Sequence, residues 1–198
     1  MVPLWKMSGP RRGRPAARAS YGRYIRRVPD GESRPPQMIE VRPGYLRASW
    51  PMAASAVILD AEDRVLLVQP AYYPGRWLMP GGGADLADSP RRACERELSE
   101  ELGIEITPGP LIAVDWIPAP SQGFAELIYV FDGGRLAQQQ IEAIRLPEGE
   151  LTEYQFLTMP DAVARLTPAD GRRLMAARGA ARAERGPVYL EHGNPPAM

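Results

Sequence analysis

The sequence predicts an α/β fold, and three observations carry that reading. Two near-continuous apolar runs, 53–60 (AASAVILD) and 64–69 (RVLLVQ), have the character of strands buried on both faces. A capped helix at about 90–102 is followed by two further strand-like runs, 111–117 (LIAVDWI) and 124–131 (FAELIYVF). Two helical segments then begin at about residue 160. A length of 198 residues suits one domain with appendages and a sizeable core.

Residues 1–50 read as an arm and residues 51–198 as the domain. The arm is rich in Arg, Pro and Gly and shows no sustained apolar periodicity, so it is expected to be largely disordered. It holds 11 Lys and Arg against 3 Asp and Glu, a balance of +8, and the remainder of the chain carries the opposite balance of −8. Tyr21, Tyr24 and Ile25 among Arg23, Arg26 and Arg27 form a candidate contact for an anionic partner such as nucleic acid. An idle solubilising tail is the simpler reading. Residues 41–50 are a candidate edge strand. The arginine pairs at 11–12 and 26–27 are not followed by an apolar stretch, which argues against an export signal. No apolar run approaches membrane-spanning length. Cys94 is the only cysteine, so no intrachain disulfide forms, and a reducing, cytoplasmic setting is the expected one.

Within the domain, the polar residues 60–63 (DAED) join the first two strands as a hairpin. Residues 70–75 (PAYYPG) are a loop, and residues 77–79 (WLM) a short strand feeding Pro80 and three glycines, which read as a loop. Tyr72, Tyr73 and Trp77 are candidates to stack on a ligand base, with packing in the core or at its rim the favoured role for Trp77.

The helix that follows is the centre of the chain. Ser89 is its N-cap, Pro90 occupies the first helical position, and Gly103 stands where a left-handed residue ends a helix. Cys94, Leu98 and Leu102 make an apolar i, i+4, i+8 stripe that docks it. Cys94 reads as a small buried hydrophobe. Glu97, Glu100 and Glu101 share another face, in the half of the helix where the dipole favours cations. Arg96 balances part of this charge. Clustered carboxylates suit a hard divalent cation, Mg²⁺ or Mn²⁺.

Later in the chain, residues 132–153 read as irregular and 154–158 as a strand. Helices are expected at 160–166 and 168–182, the second capped by Thr167. His192, the sole histidine, lies in a Gly- and Pro-rich tail where metal or catalytic use is not expected.

Gly82 is followed by five residues, Asp88, seven residues, and then Arg96, Glu97, Leu98, Ser99, Glu100, Glu101, Leu102, Gly103 and Ile104. This run resembles the Nudix box: Gly, five residues, Glu, seven residues, then Arg-Glu-hydrophobic-any-Glu-Glu-any-Gly-hydrophobic. Asp88 alone departs, standing where the family has Glu. A weaker resemblance in the flanking strands extends over about 53–158.

The resemblance implies an α/β/α sandwich with a mixed β-sheet. It implies a hydrolase acting on phosphoric anhydride bonds, cleaving the pyrophosphate of a nucleoside diphosphate linked to another group, such as a nucleotide sugar or ADP-ribose. A house-cleaning nucleoside triphosphate pyrophosphohydrolase and a non-catalytic ligand sensor are the alternatives. On this reading Glu97, Glu100 and Glu101 hold Mg²⁺ or Mn²⁺ with the Gly81 carbonyl, Arg96 orients the carboxylates, and Gly82 and Asp88 support them. Asp88 is expected to bond the loop or helix start. The base is one of the box glutamates or comes from a later loop, where Glu148, Glu150 and Glu153 are candidates. The expected partner is a small nucleotide, with a homodimer as a further candidate state.

Overall fold

A computed structural model describes residues 37–85, 87–118 and 125–197. In chain order the elements are β1 (Gln37–Arg42), β2 (Tyr45–Ser49), β3 (Met52–Leu59), β4 (Val65–Pro70), β5 (Gly81–Gly83), α1 (Pro90–Leu102), β6 (Leu111–Ile117), β7 (Glu126–Arg135), α2 (Gln138–Ala143), β8 (Leu151–Leu157), α3 (Met159–Arg165), α4 (Pro168–Arg182) and β9 (Val188–Glu191). Among the described residues seven strands form one sheet, ordered β8-β4-β3-β7-β6-β9 with β5 also on β3. The β3–β7 and β6–β9 pairs are parallel and the other pairs antiparallel, so the sheet is mixed.

Strands β3 and β4 are apolar almost throughout because both faces of the sheet are covered there. On β3, Ala54, Ala56 and Ile58 face a core shared with Ala93, Cys94, Leu98 and Leu102 of α1. The intervening Val57 and Leu59 face a second core with Ala162 of α3 and Leu174 and Ala177 of α4. This is the period-2 alternation of a strand serving two layers. Each large aliphatic side chain so buried contributes about 1.5–3 kcal/mol. The expected α/β/α arrangement is therefore present.

Helix α1 starts and stops for the local reasons its sequence supplies. The Ser89 hydroxyl accepts from the Arg92 N–H (3.3 Å), and Gly103 adopts φ 66° with its N–H donating to the Ser99 carbonyl. Thr158 and Thr167 cap α3 and α4 in the same way. Cys94 is fully buried, and burial pushes its thiol up to about 12. The native protein is therefore expected to leave Ellman's reagent unreacted and to react only when unfolded; prompt reaction of the folded chain would show that the docking stripe is open.

Several elements differ from the sequence reading. Residues 37–49, inside the stretch expected as an arm, form the β1–β2 hairpin, a sheet of its own, rather than one edge strand at 41–50. The three glycines are not a loop: as β5 they pair with Ala53–Ser55 of β3. Gly81 has φ 131°, and a Cβ there would lie 2.2 Å from the Ala54 carbonyl oxygen, so only glycine lets the two backbones close. Strand β4 leaves β3 after the Leu59–Val65 pair, and residues 78–83 fill the gap through the Val68–Leu78 bridge and the bond from the Ala56 N–H to the Pro80 carbonyl. The expected strand at 77–79 thus reduces to one bridge.

Residues 132–153 are also more ordered than expected. Strand β7 continues through Gly133 to Arg135, where glycine is required because a Cβ would meet Ile58 Cγ1 at 2.4 Å. Helix α2 follows, and β8 begins at Leu151. Strand β9 was not expected; it pairs with β6 and buries Leu190, while the His192 N–H donates to the Trp116 carbonyl. Phe124 and the arm residues Tyr21, Tyr24, Ile25, Arg23, Arg26 and Arg27 lie outside the described residues. No helix among the described residues is long and apolar enough to cross a membrane.

Candidate active site

The box residues meet where β5, the loop after it and α1 converge, and Arg96 is their hub. Its Nη1 donates to Glu97 Oε1 (2.6 Å) and Glu100 Oε2 (3.0 Å), its Nη2 to the Gly83 carbonyl (2.9 Å), and its Nε to Asp88 Oδ2 (3.1 Å). Asp85 adds a further carboxylate 3.9 Å from Nε. Burial opposes the charge on Arg96, but its bonds to Glu97 and Asp88 and the charge of Glu100 hold its pKa above the ordinary value. A planar guanidinium can bridge this many oxygens at once; an ammonium cannot.

Asp88 serves this hub. The reading that it bonds the helix start is corrected: its carboxylate holds Arg96, and Ser89 caps α1. Gly82 lies in the β5–β3 ladder opposite Ala54. Gly81, whose carbonyl is the expected metal oxygen, contributes its N–H to Glu101 Oε2 at 2.8 Å. The sequence reading missed Asp85 and the Gly83 carbonyl, because no spacing signal marks a backbone oxygen or a carboxylate three residues before Asp88.

The three glutamates are not equivalent. Glu97 is 3% exposed, and the Glu100 side chain is 56% exposed beside Arg96. Burial pushes Glu97 up to about 7; Arg96 opposes this, while Glu100 and Glu150 add to it. Burial likewise raises Glu101 well above the usual carboxylate range, against its bond from Gly81 and with the charges of Glu97, Glu150 and Glu100 adding. Two neighbouring carboxyls whose ionised forms burial disfavours, with hard oxygen donors, fit a divalent cation. Among the described residues no three acidic side chains already converge as a metal cage. Glu97, Glu100 and Glu101 supply such donors from one face of α1, Glu97 and Glu100 while bonded to Arg96.

This charge pattern has a measurable consequence. The folded chain holds the Glu97 and Glu101 protons more tightly than the unfolded chain does. Their contribution to stability is therefore complete below the ordinary value of 4.5 and is lost as pH rises through about 7 for Glu97. For Glu97 alone the loss is at most about 3 kcal/mol. Metal-free protein is expected to melt lower at pH 8 than at pH 5, and Mg²⁺ to restore most of the difference. Melting curves in EDTA and in Mg²⁺ check this; curves insensitive to both pH and metal would contradict it.

The remaining candidates separate. Of Glu148, Glu150 and Glu153, Glu150 is the one whose charge is felt at Glu97, Glu101 and Tyr72. Glu148 is exposed, and Glu153 accepts from the Gln155 amide on β8. Tyr72 is 43% exposed and packs tilted on Tyr73, with ring centroids 5.2 Å apart. Burial, then the charges of Glu101 and Glu97, push its hydroxyl up to about 12. The Tyr73 ring lies under the Arg76 guanidinium. Trp77 is corrected as a base-stacking candidate: it is buried in the core facing α3 and α4, with the Arg165 guanidinium 5.3 Å from its ring centre. A groove of about 310 Å³ on the outer side of α1 reaches Arg96 and Glu100 but neither Glu97 nor Glu101.

Comparison with known proteins agrees with this geometry. A family model described as NUDIX domain matches residues 50–177. Human diphosphoinositol polyphosphate phosphohydrolase 3-alpha is 44% identical over 55 residues, 28% of this chain and 34% of that protein. The chain thus spans about a third of the length of the curated relatives it matches. Among solved structures, a UDP-X diphosphatase aligns with TM-score 0.56 at 22% identity, over 76% of this chain and 71% of that one. An ADP-ribose pyrophosphatase from Streptococcus suis aligns with TM-score 0.52 at 20% identity, over 72% and 99%. At such identities the structural likeness is one of fold.

Proposed function

The chain belongs to the NUDIX domain family, and from that premise we propose that it is a metal-dependent hydrolase of phosphoric anhydride bonds. Its substrate on this reading is a nucleoside diphosphate linked to a further group, such as a nucleotide sugar or ADP-ribose. The observation that carries the reading is the gathering of the three box glutamates where β5 meets α1: Arg96 holds Glu97 and Glu100, and the Gly81 N–H holds Glu101.

Glu97 and Glu101, joined by Glu100, would hold Mg²⁺ or Mn²⁺. Bound there, the ion would neutralise anhydride oxygens and lower the pKa of a water. The chain's own residues supply the rest. Arg96, tied to Asp88 and the Gly83 carbonyl, keeps Glu97 and Glu100 in place. The Gly81 N–H keeps Glu101 turned towards β5. Glu150 is the residue we assign to take the proton of the attacking water, since its charge reaches both Glu97 and Glu101. Tyr72 offers a ring face at the edge of the same site for a base.

The names of the relatives support this chemistry and leave the group beyond the anhydride open. One is called a diphosphoinositol polyphosphate phosphohydrolase, another an ADP-ribose pyrophosphatase and a third a UDP-X diphosphatase. The test is a product assay on ADP-ribose, UDP-sugars, dinucleoside polyphosphates, nucleoside triphosphates and a diphosphoinositol polyphosphate, each with Mg²⁺, Mn²⁺ or EDTA. Metal-dependent cleavage of a linked nucleoside diphosphate is expected to be fastest. Preference for a triphosphate or an inositol diphosphate would replace the substrate assignment, and no cleavage of any would overturn the enzymatic one.

A further inference from the structure

Asp63, in the turn between β3 and β4, adopts φ 62° and gathers three arginines from two separate elements. Arg135, at the end of β7, donates through Nη2 to Asp63 Oδ1 and through Nη1 to the Asp60 carbonyl. Arg178 Nη2 lies 3.4 Å from the same carboxylate oxygen, and Arg182 Nη2 lies 4.0 Å from Oδ2. Arg178 and Arg182 stand one turn apart on α4, where like charges repel.

The acids present do not balance these charges. Asp60 is 1% exposed and already paired with Arg64 at 2.6 Å. The Asp132 carboxylate, whose charge reaches Arg178, accepts from the Gly134 N–H. Counting both Asp63 and Asp132, three guanidiniums still outnumber the carboxylates that face them. Burial, followed by the charge of Arg182, lowers the pKa of Arg178 although Asp63 and Asp132 favour its charged form. Compensation of the α4 dipole accounts for Arg178 and Arg182 at the helix's C-terminal end. It does not account for Arg135, which the sheet brings to the same carboxylate. The surroundings are acidic overall, since residues 51–198 carry a balance of −8.

The cluster is remote from the box. Ser55 pairs with Gly81, and Asp60 lies five residues further along just past the end of β3, so the two points are about 16 Å apart. Helix α4 also packs on the opposite face of the sheet from α1. Convergent guanidiniums with one internal counter-ion are the donor set for an oxyanion of higher charge than a carboxylate. We infer that Arg135, Arg178 and Arg182 form a second site, separate from the box, that binds a polyvalent phosphate group.

The test is titration calorimetry of the metal-free protein in EDTA with inorganic pyrophosphate at constant ionic strength. Without a cation the box carboxylates repel phosphate, and comparison with Arg182→Gln separates this site from the basic residues of the arm. Saturable binding is expected, weakened at least about tenfold in Arg182→Gln and tightened in Asp63→Asn, while Glu101→Gln leaves it unchanged. Arg182 is 65% exposed near the end of α4, so its substitution leaves the core intact. Absence of saturable binding, equal affinity in Arg182→Gln, or an equal response to chloride would overturn the site. Turnover of the Arg182→Gln protein in Mg²⁺ should match wild type, which keeps this outcome independent of the assignment of the box.

Discussion

Glu101→Gln is expected to lower turnover at least about 100-fold, the scale of losing a metal ligand or the interaction that positions one. The substitution keeps an oxygen that can accept the Gly81 N–H, so β5 stays in register. It removes a carboxylate whose ionised form burial disfavours, so the metal-free protein should melt higher than wild type at pH 8. The combination is diagnostic: a purely structural glutamate would lose stability without a metal-dependent loss of rate. Steady-state rates across a Mg²⁺ series, with melting curves in EDTA, measure both. Normal turnover in limiting Mg²⁺ would remove Glu101 from the site. Glu100→Gln should lose activity on a similar scale, with little gain in stability, because its side chain is 56% exposed beside Arg96.

The second large effect is on stability. Asp115 on β6 is fully buried and joins three parts of the chain that lie far apart in sequence. Its Oδ2 accepts from Arg173 Nε (2.7 Å) on α4, and both its oxygens accept from the Gly193 N–H (3.1 and 3.0 Å) beyond β9. Arg173, 4% exposed, also pairs with Asp170. Asp115→Ala strands a buried guanidinium and a backbone N–H, and should cost about 3–5 kcal/mol, towards the lower value because Asp170 remains. Replacing both partners, Asp115→Leu with Arg173→Met, should recover part of that loss, because no unpaired charge is left behind. Urea midpoints measure both variants. A loss under about 1 kcal/mol in Asp115→Ala would show that water reaches the pair. Amide exchange at Leu190 should quicken in Asp115→Ala, since β9 loses its anchor.

Much of the fold and of the box was legible in the sequence because the information is local. The apolar runs of β3 and β4, the Ser89 and Gly103 caps of α1, and the spacing of Arg96, Glu97, Glu100 and Glu101 each depend on residues a few positions apart. Helical and strand periodicity convert such spacing directly into shared faces. The docking of Cys94, Leu98 and Leu102 followed from the same rule.

Elements that depend on a distant partner were not legible. The four residues of β9 are too short to signal a strand and become one by lying along β6. Glycines 81–83 resemble a loop in composition, yet form a strand by pairing with β3, whose backbone passes too close to Gly81 for a side chain. The path of the 70–80 segment put Trp77 in the core, the role already favoured for it, and left Tyr72 43% exposed against Tyr73. Periodicity placed the three box glutamates on one face of a helix. It did not say that Glu97 would be buried, Glu100 would lie exposed beside Arg96, and Glu101 would take the Gly81 N–H. The sequence by itself determined which residues stand together on an element. The tertiary structure decided which of them lose water and which charges meet across elements, because desolvation and pairing depend on the register of segments far apart in the chain.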